Sequence, residues 1–150
     1  SQKGFEVTAV DLGEAAVSIT ESLLIENRQE VKVVCQDIQN MGFKDGAFDA
    51  SICFRLLHHF SQARAQQELI DELCRVSSDF VVISYFSTHS VTTMRRKLRK
   101  FLSGKPIKQN PISLAQLKSL FGRNGFELLG TVKRSGFLHS LQLAVFEKRH

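Results

Sequence analysis

The sequence predicts an α/β fold with a mostly parallel sheet and an antiparallel pair of strands at its C-terminal edge. Three observations carry that expectation. Short β-favouring runs alternate with helix-length amphipathic segments through the first half of the chain, and the first two runs are each followed by an aspartate, Asp11 and Asp37. Phe80 to Tyr85 is almost continuously apolar, as a strand is when helices cover both faces of a parallel sheet. The last two strand-like runs are separated by a turn around Ser135-Gly136, short enough for antiparallel neighbours.

Taken in order, Phe5 to Val10 alternates as a strand and delivers the carboxylate of Asp11 to its carboxyl end. Glu14 to Ile25 carries Ala15, Ile19 and Leu23 at helical spacing and is closed by the polar run Glu26 to Glu30. Val31 to Cys35 is a short β-branched strand followed by Gln36-Asp37-Ile38, so the first forty residues read as a βαβ unit. Asp45-Gly46 marks a turn, and Phe48 to Phe54 is the next strand, broken at Arg55 before Leu-Leu-His-His-Phe leads into a helix. In that helix, Gln62 to Val76, one face holds Ala65, Leu69, Ile70, Leu73 and Val76, and the other holds Glu68, Asp71, Glu72 and Arg75. After the Phe80 to Tyr85 strand the composition shifts. Met94 to Lys108 has seven Lys or Arg and no acid, with an apolar stripe of Met94, Leu98, Phe101 and Leu102, and reads as a basic amphipathic helix ended by Gly104 and Pro106. Ser113 followed by Gln116 forms a capping box for a helix running to about Phe121 or Gly122. Phe126 to Val132 and Leu141 to Phe146 are the closing strands.

Composition sets outer bounds. A chain of 150 residues, 43% hydrophobic and 23% charged with twelve Phe, is one globular domain with a real core. No apolar run reaches the roughly 20 residues needed to span a bilayer, and the first residues carry no apolar secretory segment, so the cytoplasm is the expected compartment. Cys35, Cys53 and Cys74 are widely spaced, odd in number and without a CxxC pair, which predicts reduced core thiols. The net charge of +5 is concentrated in Met94 to Lys108. That stretch suits a lid over an anionic or amphiphilic substrate or attachment to an anionic membrane surface. Nucleic acid ranks below both, because no aromatic residues interleave for base stacking.

In a parallel α/β sheet the carboxyl ends of the strands line one crevice, where ligands bind. Asp11, Asp37 and the segment around Phe54 and Arg55 stand at such ends, and a carboxylate there can accept both hydroxyls of a ribose. The stretches VTAVDL, VKVVCQDI and FDASICFRLLHHF, followed by a helix ending ELCRV, resemble the Rossmann-like S-adenosylmethionine-dependent methyltransferases. The resemblance covers residues Gly4 to Phe86 and implies S-adenosylmethionine as cofactor. It implies that Asp11, with Leu12 beside it, holds the cofactor ribose and that Asp37 and Ile38 meet the adenine. Phe54, Arg55 and His58 would then lie beside the methionine part and the substrate, with His58 the one candidate for general base.

The family's first strand and its Gly-x-Gly-x-Gly loop have no counterpart in this sequence, which predicts a chain beginning after that β-α unit. The expected consequence is that the flanking strands, at Val10 and at Phe48, pair directly or that a second copy completes the sheet as a homodimer. No Asn-Pro-Pro-Tyr type run follows the fourth strand of the family series, which points to a small-molecule or lipid-like acceptor. The rival from another class is a non-catalytic binding or assembly module on the same scaffold. An NAD-binding dehydrogenase needs the same absent glycine loop.

Overall fold

A computed structural model describes residues 4–86, 112–133 and 141–149 of the chain. They form two compact units, Ser1–Gly42 and Phe43–His150, each with its own sheet. The basic stretch Met94 to Lys108 lies outside the described residues.

The first unit is a βαβ crossover. β1 (Thr8–Asp11) leads into α1 (Glu14–Glu26) and returns as β2 (Lys32–Cys35), parallel to β1 with Val10 opposite Val34 and Asp11 opposite Cys35. β1 starts three residues later than the alternation suggests, since β2 offers it four partners and one further bond, from the Lys32 amide to the Val7 carbonyl. The polar run after the helix stops it as expected: Asn27 Nδ2 donates to the Leu23 carbonyl at 2.7 Å, and Arg28 turns the chain at φ 53°. α1 buries none of its residues, and Ile19, Leu23 and Ile25 stay exposed.

The second unit orders its strands β3-β4-β6-β5. β3 (Phe48–Cys53) and β4 (Ser77–Phe86) run parallel, joined through α2 (Ala63–Val76). β6 (Leu141–Lys148) lies antiparallel between β4 and β5 (Phe126–Lys133), after α3 (Leu114–Arg123). The predicted capping box of α3 is present, with the Gln116 amide donating to Ser113 Oγ at 3.1 Å and the Ser113 amide to Gln116 Oε1 at 2.9 Å. The closing strands make the antiparallel pair that the sequence predicts, with β5 outermost.

Packing is concentrated on one side of this sheet. Val81, Ile83, Ala144 and Phe146 are fully buried there together with Leu69, Ile70, Leu117 and Phe121 of the two helices. α2 and α3 are tied to each other by Asn124 Nδ2, which donates to Asp71 at 2.6 Å. Along the register of the opposite side run Ile52, Val82 and Val145, then Leu143 and Val132; Ile52 is 74% exposed and Val132 59%.

Two local devices set the frame. Arg75 donates to Glu72, to Asp45 and to the Phe43 carbonyl at 2.7–2.8 Å, and its own carbonyl accepts from the Gly46 amide, so α2 holds the turn that precedes β3. These carboxylates push the guanidinium further above its already high range. At the same end of α2 no loop separates helix from strand. Ser77 turns from helix to strand at φ −99°, ψ 131°, and its hydroxyl donates back to the Leu73 carbonyl at 2.7 Å while meeting Ser51 Oγ at 2.6 Å. β4 therefore begins three residues before the apolar run that predicted it.

Within the first unit β1 pairs with β2, and within the second β3 pairs with β4, each pair joined through its own helix. One correction follows. Cys35 is not a core thiol: as the last residue of β2 it is exposed, with its Sγ donating to the Leu12 carbonyl at 3.3 Å. Cys53 and Cys74 are buried, and burial pushes their thiols up to about 11 and about 12. Under native conditions at pH 8, a chromogenic disulfide reagent is expected to titrate one thiol rapidly. The Cys35→Ser variant should abolish that fast phase, and denaturant should release the other two.

Candidate functional site

The carboxyl ends of β1 and β2 bring four of the sequence-predicted residues into one neighbourhood. Asp11 closes β1 and its carbonyl accepts from the Gln36 amide at 3.0 Å, which places the start of the Asp37 loop directly beside it. Asp11 Oδ1 accepts from the Gly13 amide at 2.8 Å, an Asx turn that aims the carboxylate across the entrance to α1. Asp37 makes the same kind of turn, accepting from the Gln39 amide at 2.9 Å through its Oδ1. Each carboxylate thus spends one oxygen on orienting itself, and its Oδ2 meets no donor among the described residues. Both acids are exposed, Leu12 is 69% exposed, and Ile38 is half-buried.

At the carboxyl end of β3 stands the other group, within the second unit. Phe54 is 57% exposed. Arg55 sits at φ 57°, in the left-handed region that costs a residue with a Cβ about 1 kcal/mol or more. Its amide donates to Ser84 Oγ at 2.6 Å, and Ser84 is fully buried on β4, so the strained turn is pinned from beneath. A single turn of 3-10 helix, Leu57–His59, follows where the sequence suggests only a break before the helix.

His58 lies in that turn, 5% exposed, with its ring 4.2 Å from that of His59 and edge-on to Phe86 at 4.6 Å. Its Nδ1 is closed off from solvent and has no hydrogen-bond partner among the described residues. Burial, then the charges of His59 and Arg55, lower its pKa from the usual 6.5. Burial thus disfavours the charged imidazolium. A group that binds its proton less readily when folded favours the unfolded chain in acid. The stability it supports is complete above pH 6.5 and is lost as pH falls toward the folded pKa. Urea unfolding of His58→Phe from pH 7 to 5 is expected to show a pH slope shallower by up to about 1 kcal/mol per pH unit than the parent, since one proton accounts for about 1.4.

Two features escaped the sequence reading. The left-handed turn at Arg55 has no local signature, because neither glycine nor asparagine marks it. Ser84 did leave a signal, being the one serine inside the apolar run Phe80 to Ile83 and Tyr85 to Phe86. Among the described residues no three His, Cys, Asp or Glu side chains converge as a metal-ligand set, and no helix is long and apolar enough to cross a membrane.

Residues 1–81 match the family model described as a methyltransferase domain. Magnesium protoporphyrin IX methyltransferase from Synechocystis PCC 6803, solved with bound SAH, superposes with a TM-score of 0.86 at 18% identity. The match covers 99% of this chain and 66% of that enzyme, so the chain spans just under two thirds of its length. A SAM-dependent methyltransferase from Methanosarcina mazei gives a TM-score of 0.76 at 17% identity, over 97% of this chain and 83% of that one. The [4+2]-cyclase SpnF gives 0.72 at 15% identity, over 96% and 66%. At such identities the likeness establishes a fold, and that fold is the Rossmann-like α/β architecture of these proteins. No curated protein matches the sequence significantly.

Proposed function

We propose a function from one premise: the chain belongs to the methyltransferase domain family. The reading is methyl transfer from S-adenosylmethionine to a small-molecule or lipid-like acceptor. The observation that carries it is the pair of carboxylates at the ends of β1 and β2, each oriented through Oδ1 by a backbone amide two residues on and each with an Oδ2 that meets no donor among the described residues. Such a carboxylate is a charged acceptor already in position, which is what a ribose diol requires. Asp11 would hold the ribose, with Leu12 against the sugar. Asp37 would accept from the adenine amino group, with Ile38 covering the ring. These residues fit the adenosine half of the cofactor.

When bound, S-adenosylmethionine supplies an activated methyl group, so the protein's part is alignment and the exclusion of water. Phe54 and Arg55 stand at the end of β3, where an acceptor would lie. The Ser84 hydroxyl fixes the backbone there, and the exposed ring of Phe54 offers an apolar wall. The basic stretch Met94 to Lys108 favours an acceptor with anionic or amphiphilic character, or an anionic membrane surface from which it is taken.

The second reading is a non-catalytic binding or assembly module on the same scaffold. Calorimetric titration with S-adenosylhomocysteine separates the two. Saturable heat whose affinity falls in Asp11→Ala supports the enzyme reading, and no heat at millimolar ligand defeats it for this chain.

A further inference from the structure

Gln36 follows directly on β2 and ties two segments of the first unit at once. Its backbone amide donates to the Asp11 carbonyl at 3.0 Å, extending the pairing of β2 with β1. Its side chain reaches forward instead, with Oε1 accepting from the Gly42 amide at 3.0 Å. Asp37 and Ile38 lie between these two residues. Two further bonds shape the turn locally, from the Gln39 amide to Asp37 Oδ1 at 2.9 Å and from the Asn40 amide to the Asp37 carbonyl at 3.0 Å. The bond from Gly42 to Gln36 does something different: it joins the far end of the segment back to its start. Reach selects the residue, since asparagine is one methylene shorter and alanine has no acceptor, whereas glutamate places an oxygen at the same distance. Gly42 is exposed, so without this bond its amide would turn to water and the fold as a whole would lose little. The segment would lose its closure.

We propose that Gln36 is a positioning residue for the adenine base: by closing the segment from Asp37 to Met41 it holds the Asp37 carboxylate and the Ile38 side chain in place before the cofactor arrives. This rests on the cofactor reading above and deepens it. The advantage is preorganisation. A carboxylate on an open loop must be immobilised when the base binds, and that ordering cost is subtracted from affinity; on a closed loop the ordering has already taken place on folding. Gln36 also relates the two acids to each other. Its backbone amide sits on the Asp11 carbonyl while its side chain holds the Asp37 segment, so the groups for ribose and base are presented at one spacing. Gln36 acts through Asp37 and Ile38 and carries no chemistry of its own.

The test reads loop closure and binding separately, in the full chain. In the ligand-free protein, amide exchange followed by nuclear magnetic resonance should show the Gly42 amide losing protection in Gln36→Ala and Gln36→Asn and keeping it in Gln36→Glu. Calorimetric titration with S-adenosylhomocysteine should show affinity falling about threefold to tenfold in the alanine and asparagine variants, the range for one neutral hydrogen bond, and recovering toward the parent in the glutamate variant. In an Asp37→Ala background, Gln36→Ala should cost less than it does in the parent, because the carboxylate it positions is gone. A parent that binds no S-adenosylhomocysteine defeats the cofactor reading and this proposal with it. Four results overturn the proposal alone, with the parent binding normally: Gln36→Ala binding equally well, an affinity loss with Gly42 protection intact, a glutamate variant as weak as the alanine one, or an undiminished cost in the Asp37→Ala background.

Discussion

Asp11→Ala is expected to weaken S-adenosylhomocysteine binding roughly tenfold to a hundredfold, the 1.5 to 3 kcal/mol typical of hydrogen bonds to a charged acceptor. Two losses combine in that figure. The ribose loses its acceptor, and the Gly13 amide loses the oxygen that shapes the turn into α1. Asp11→Asn separates them, since an amide oxygen can still accept from Gly13 while the negative charge is gone. The asparagine variant should therefore lose less affinity than the alanine variant and keep the parent's thermal midpoint. Calorimetry measures the first and differential scanning the second. If both variants bind as the parent does, Asp11 shapes a turn and holds no ribose, and the proposed site fails at its best-placed residue.

Phe121→Ala should be the most damaging single substitution in the second unit. Phe121 is fully buried on α3, stacked on Phe146 at 3.8 Å with the rings 9° from parallel and edge-on to Phe126 at 6.4 Å. Its removal takes away the ring that joins α3 to β5 and β6 and leaves a hole between two aromatic walls. Losses of about 3 to 5 kcal/mol are usual for such a deletion, against a total stability of about 5 to 15 for a domain. Urea denaturation should show the midpoint falling steeply, with Phe121→Leu losing about 1.5 kcal/mol because most of the volume is kept. An alanine variant destabilised by less than about 1 kcal/mol would show that the helix does not depend on this stack.

Much of the second unit is legible from residues alone, because its signals are local and periodic. Leu69, Ile70 and Leu73 fall on one face of a 3.6-residue repeat, Ser113 and Gln116 cap each other across one turn, and Phe80 to Tyr85 is an almost continuous apolar run. Asp11 and Asp37 were legible because a strand end followed by an acid is a short pattern. Arg55 was not, since a left-handed residue with a side chain is held by a long-range bond from Ser84, twenty-nine positions on. His58 was legible as a residue, but the rings of Phe86 and His59 packed against it were not. The exposure of Cys35 depended on β2 ending there, and element ends are what periodicity resolves least.

The loopless junction at Ser77 has a consequence for how the chain can change. A helix advances about 100° per residue and a strand alternates sides with each one, so two elements joined without a linker share one phase. One residue inserted between Val76 and Ser77 would have to turn α2 about its axis or exchange the two sides of β4, bringing Phe80, Val82 and Ser84 to the places of Val81, Ile83 and Tyr85. It would also part the Ser77 hydroxyl from the Leu73 carbonyl. The spacing from Leu73 to Val81 is thus as fixed a property of this protein as any side chain in it, and length variation is confined to the connections elsewhere.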